Sequence, residues 1–212
     1  MADIGNILDG PESGGVTYYD PAQDKPSVAM PEGSYPCHII KVDTAVRDVK
    51  KVHKALIYNV RVKIAEPNEA HTTFDAVDYD GNKAQVNGGD FAGRELRSNG
   101  IFKFLHPTDE DEFEANPGGN KSYANFCTVV GKEPQVKEVE LNGEMVSVKE
   151  LPDLMEEDIL GKPVVAVIGR GKPWKSDRDG KVRTSLEVKW FRTWSDGDAL
   201  DMDSLEDDDL PF

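Results

Sequence analysis

Apolar residues recur with a period of two through much of the middle of the chain, and that pattern predicts strands. The cleanest run is Leu56 to Ile64, where Tyr58, Val60, Val62 and Ile64 fall on one face and Asn59, Arg61 and Lys63 on the other. Tyr35 to Val46 is β-prone, long enough to bend, and entered through the turn Pro31-Glu32-Gly33-Ser34. A third strand is predicted around Arg94 to Phe104. The last two are Pro163 to Ile168 and Val182 to Trp194. In the latter, Leu186, Val188 and Trp190 alternate with Glu187, Lys189 and Phe191, which assigns Trp190 to the core and Phe191 to the opposite face.

The period changes in between. Lys121 to Val130 carries Tyr123, Phe126, Cys127 and Val130 at helical spacing and stops at Gly131. Val136 to Val148 alternates around Asn142-Gly143, a two-residue hairpin signal. Pro152 to Leu160 reads as a short helix, and Phe74 to Gly93 is punctuated by Asp80-Gly81-Asn82 and Gly88-Gly89. Residues 1–31, with four prolines and four glycines, read as an extended arm, and 195–212 as a disordered acidic tail. The remaining segment, 32–194, has the order strand, strand, strand, helix, strand, strand, with an inserted hairpin. The expectation is a mainly β domain, a five-stranded OB-fold barrel with one helix between strands three and four and flexible termini.

Composition narrows the class. The chain has 212 residues, of which 38% are hydrophobic and 31% charged, enough for one core with appendages. No apolar run approaches membrane-spanning length, and the start lacks the basic, apolar pattern of a signal sequence. Cys37 and Cys127 fit no metal spacing. A reduced, cytoplasmic protein is expected.

The net charge of −15 argues against a nucleic-acid partner until its distribution is read. Residues 41–63 sum to +5 and 161–192 to +6, while 1–40, 64–160 and 193–212 sum to −5, −13 and −8. Positive charge thus sits in two blocks. In an OB fold the loops joining strands one to two and four to five flank the binding face, and the blocks fall in those loops and their strands. The expectation is that they meet at one barrel mouth as a single basic groove.

Lys50, Lys51 and Lys54 are candidate phosphate contacts from the first block, with Arg61 and Lys63 pointing away from the core face. From the second come Arg170, Lys172, Lys175 and Arg178 around Trp174, which has no periodic apolar neighbours to bury it and is the first candidate for base stacking. Phe191 is a weaker one. The four histidines are scattered, and there is no Walker loop, nucleophile elbow or zinc spacing. No enzyme, metal or cofactor is expected.

Asp207-Asp208-Asp209-Leu210-Pro211-Phe212 joins an acidic run to an apolar tip. An apolar tip is wasted on a solubilising tail but suits a peptide gripped by another protein. It closely resembles the tip of bacterial and phage single-stranded DNA-binding proteins. Gly33-Ser34-Tyr35, Gly89-Asp90-Phe91-Ala92-Gly93-Arg94 and Leu160-Gly161-Lys162-Pro163-Val164 resemble phage-encoded proteins of that kind. The resemblance implies a phage protein that coats single-stranded DNA during replication, recombination or repair. Its tip, residues 207–212, would recruit partner enzymes. The rival expectation is an acidic protein–protein adaptor or nucleic-acid mimic that does not touch DNA.

Overall fold

The computed structural model describes residues 28–49, 53–105, 120–141 and 143–202. The protein is mainly β. Its strands are β1 (Gly33–Val49), β2 (His53–Ile64), β3 (Thr73–Val77), β4 (Lys83–Asn87), β5 (Glu95–Arg97) and β6 (Ile101–Phe104). Helix α1 (Lys121–Val129) follows, then the pair β7 (Gln135–Leu141) and β8 (Glu144–Glu150) and the single turn α2 (Glu156–Ile159). The chain continues through β9 (Pro163–Arg170), β10 (Trp174–Lys175), β11 (Val182–Arg183) and β12 (Leu186–Thr193).

One sheet organises the rest. Its order is β12-β9-β1-β2-β5, with β6 also on β2, and the neighbours in it are antiparallel. β1 is long enough to serve two partners: Gly33 to His38 pair with β9, and Cys37 onwards pairs with β2. A register shift between Ile39 and Lys41 falls where β1 passes from one partner to the other, and a bulge there bends the strand. The two ends of this path come together at one parallel bridge, Ser98↔Val188.

The alternation in β2 directs its side chains as the pattern predicts: Tyr58, Val60, Val62 and Ile64 are buried. They join Tyr35, Cys37 and Ile39 of β1, Val164, Ala166 and Ile168 of β9, and Val188 of β12 in one core. Helix α1 closes it with Tyr123, Phe126, Cys127 and Val130, as its spacing requires. Tyr58 and Tyr123 stack at 5.4 Å, and their hydroxyls lie 3.3 Å apart. The Tyr123 hydroxyl donates to the Pro152 carbonyl at 2.8 Å, which pins the approach to α2. Burial raises the tyrosine's pKa far above its usual value. Both cysteines are buried and unpaired, and burial pushes Cys37 up to about 12.

Three expectations change. The third strand is two pieces, β5 and β6, because the chain turns through Ser98-Asn99-Gly100 with Gly100 at φ +87°. Of Pro152 to Leu160 only Glu156–Ile159 is helical, since Pro152 to Met155 is spent on the tyrosine contacts and on reaching the helix. Trp190 is not in the core: it is 53% exposed, and Phe191 packs inward against Phe126 at 5.4 Å. Val188 faces Ile168 and Trp190 faces Val167, so the register slips at Lys189 and the alternation inverts beyond it.

The turn signals hold. β7 and β8 pair as far as Leu141 and Glu144, and Gly143 between them has φ +82°, as the predicted turn needs, while Asn142 lies outside the described residues. Asp80-Gly81-Asn82 joins β3 and β4, where the Asp78 carboxylate accepts from the Asp80 and Asn82 amides at 3.0 and 2.7 Å. No described helix is long and apolar enough to cross a membrane.

Candidate nucleic-acid interface

Cross-strand partners share a sheet face, and the register defines the one turned away from the core. On β1 it carries Lys41, Asp43, Ala45 and Arg47, on β2 Ala55, Ile57, Asn59 and Arg61, then Lys63. Opposite them stand Arg97 (facing Arg61), Glu95 (facing Lys63), Phe102 (facing Ile57) and Phe104 (facing Ala55). Phe102 and Phe104 are two apart on one strand, so both rings rise on the same side; they stack with centroids 6.3 Å apart and planes 23° from parallel. Ile57 and Ala55 are buried beneath this pair although they face outward, so the rings have an apolar floor. Both remain partly exposed.

The charges around the rings are unequal in availability. Arg61 donates to Glu95 at 3.1 Å. Arg97 and Arg47 are exposed and have no ion-pair partner among the described residues. Lys41 is 3.7 Å from Asp43. Lys63 is half-buried at the end of β2 beside Gly93.

The sequence-predicted residues distribute as follows. Lys54 is exposed near the start of β2, where its carbonyl accepts from Leu105. Lys50 and Lys51 lie outside the described residues, as does the tip 207–212. Arg170 pairs with Glu32 at 2.9 Å. Lys172, Lys175 and Arg178 are exposed, and Trp174, 51% exposed, sits on the small ribbon β10–β11 opposite Arg183. The ribbon is held by the Asp179–Arg183 pair at 2.6 Å.

The first basic block is spread along β1 and β2, with Arg47 near one end and Arg61 and Lys63 beside β5, and the second follows β9 and leads into β12. β9 runs antiparallel to β1, so its end, and the 171–185 connection after it, falls beside Gly33. The β1–β2 turn falls beyond Val49. At about 3.3 Å per residue these points are roughly 50 Å apart along the strand. What lies between Arg47 and the 171–185 connection is the outer face itself. The Ser98↔Val188 bridge sets the start of β12, hence the end of the 171–185 connection, beside β5. The order along the strip is therefore Arg47, then the phenylalanine pair, then Arg61 and Arg97, then the loop of Trp174, while Lys54 shares the phase of Tyr58 and Val60 on the other face.

Phe102, Phe104 and Arg97 are the residues that sequence reasoning missed. The available signal was Ile101-Phe102-Lys103-Phe104 paired against Leu56 to Ile64, in which both rings must oppose the core register. A wider cleft of about 970 Å³ lies elsewhere, between His38, Lys63, Glu66, Glu69 and Trp194. Asp196 and Asp198 also line it, which disfavours phosphate there. Among the described residues no group of three or more His, Cys, Asp or Glu side chains is placed to hold a metal ion.

No protein-family model, curated protein or solved structure matches the chain.

Proposed function

We propose that the chain is a non-catalytic, sequence-tolerant single-stranded DNA-binding protein built on a five-stranded OB barrel. In this reading β5 with β6 forms the third barrel strand and β9 and β12 the fourth and fifth. The strand order, the helix between third and fourth strands, and the parallel bridge between Ser98 and Val188 all support that assignment.

The observation that carries the function is the outer strip: a stacked, partly exposed phenylalanine pair on an apolar floor, flanked by Arg47 and Arg97, which have no ion-pair partner among the described residues. Single strands are held in this way, bases on aromatic faces and phosphates on a positive track. Trp174 adds a third ring at one end, within a loop that keeps Lys172, Lys175 and Arg178 exposed. The acidic tip recruits replication, recombination or repair enzymes, and its resemblance to phage proteins suggests a phage source acting in the host cytoplasm.

Titration of labelled oligo-dT and of a duplex of equal length tests the reading. Tight, salt-sensitive binding of the single strand with tryptophan quenching is expected, and much weaker binding of the duplex. Absence of oligo-dT binding at low salt would overturn it and favour the acidic adaptor.

A further inference from the structure

The slip in β12 does more than expose a tryptophan. It sets Trp190 against a notch of about 150 Å³ whose other walls are the Ser98-Asn99-Gly100 turn and the outer side of α1. The floor is apolar, from Ile101, Phe126, Val188 and Phe191. The rim is polar and uncharged: Asn99, Ser122 and Asn125. Lys189, beside it, has its ammonium held by Glu187.

These groups differ in what they have left to offer. Asn99 is engaged with Glu187. Asn125 and Ser122, one helical turn apart on α1, are exposed and have no side-chain hydrogen-bond partner among the described residues. An amide offers both a donor and an acceptor, and a hydroxyl offers either. A flat apolar floor, an indole wall and such a rim suit a planar ring with polar edges. The volume lies well below the ~300–1,000 Å³ of drug-sized ligand sites, so it suits one ring.

The notch adjoins the phenylalanine pair. Gly100 lines it, and a Cβ on Gly100 would stand 3.6 Å from the Phe102 ring and 2.9 Å from Ile57. Gly100 is thus common to the notch and to the surroundings of the Phe102 ring.

We infer that this notch is a base-reading subsite that takes one pyrimidine of a bound single strand, with its edge on Asn125 and Ser122 and its face towards Trp190. The inference rests on the single-strand reading above. It adds a preference that stacking alone does not give, because the amide of Asn125 and the hydroxyl of Ser122 read a donor and acceptor edge, which differs between bases.

The test uses the full chain and oligo-dT and oligo-dA of equal length, read by anisotropy. Ser122→Leu fills the mouth and Asn125→Leu removes the amide; both positions are exposed on a helix that tolerates leucine. The unsubstituted protein should favour oligo-dT. Either variant should cut that preference about fivefold or more by weakening oligo-dT alone. A chain with Trp174→Phe and Trp194→Phe keeps Trp190 as its one indole, Trp being three in all. Oligo-dT should quench it, and Ser122→Leu should abolish the quenching. An unchanged preference in both variants, with binding intact, overturns the notch and leaves the single-strand reading standing. Failure of the unsubstituted protein to bind either oligonucleotide overturns both.

Discussion

Phe102 and Phe104 stack on the outer side of β6 with Ile57 and Ala55 beneath them, so two aromatic faces are fixed in place before any ligand arrives. Fixed rings lose little freedom on binding. Phe102→Ala and Phe104→Ala should each weaken oligo-dT binding by about 1–3 kcal/mol, the usual worth of one stacked base. Circular dichroism should show the fold retained, since the rings lie outside the core cluster. Equal affinity in the double variant would remove this face from the interface.

The arginines should separate by salt dependence. Arg97 has no ion-pair partner among the described residues, whereas Arg61 is held by Glu95 at 3.1 Å. Arg97→Ala should therefore reduce the slope of log affinity against log salt by about 0.7, the value for one phosphate on a single strand. Glu95→Gln should do the reverse, freeing Arg61 and tightening binding at low salt. The same slope in both variants would argue that neither arginine meets a phosphate.

Deletion of residues 204–212 should tighten oligo-dT binding at low salt and matter less as salt rises. An acidic tail competes with the phosphates for the same arginines, and such competition is screened. Coincident binding curves for the full and truncated chains across a salt titration would exclude the competition.

His71 supplies a pH dependence of stability. It is buried, its Nδ1 accepts from the Asn68 amide at 3.2 Å, and its Nε2 has no partner among the described residues. Burial lowers its pKa below the ordinary 6.5. The unfolded chain then holds the proton more readily than the folded one. The contribution of neutral His71 is complete above pH 6.5 and is lost as pH falls through that value towards the folded one. Urea midpoints measured across that window should fall with pH in the native chain and fall less in His71→Leu. Parallel curves would mean that another group is responsible.

Tyr123→Phe should cost about 1–3 kcal/mol in the same assay. It removes the 2.8 Å donor of the Pro152 carbonyl, which keeps the Lys103 ammonium at 3.4 Å, and the acceptor of the Leu154 amide in a buried site. Loss of far less would mean that water replaces the hydroxyl.

Much of this was legible in the sequence where local period and tertiary burial agree. β2, α1 and the β7–β8 pair follow their patterns because Tyr58 to Ile64, Tyr123 to Val130 and Asn142-Gly143 each specify one geometry. Two things were not legible. A register slip leaves no mark in composition, so Trp190 and Phe191 were read in each other's place. Charge blocks carry no strand direction, so the sequence does not show that Arg47 and Arg61 of one block stand on either side of the phenylalanine pair. The aromatic pair on β6 was in plain view, but only its pairing with Ala55 and Ile57 says which way it points.

The slip at Lys189 also bears on how such a surface changes over generations. Were the strand to run through Lys189 without the bulge, strict alternation would turn the indole inward and the Phe191 ring out, with no side chain replaced. Point substitutions explore such a strand gradually, whereas a single codon gained or lost exchanges its interior and exterior at a stroke. Divergent copies of this chain are therefore better compared by the spacing of their aromatic residues here than by residue identity.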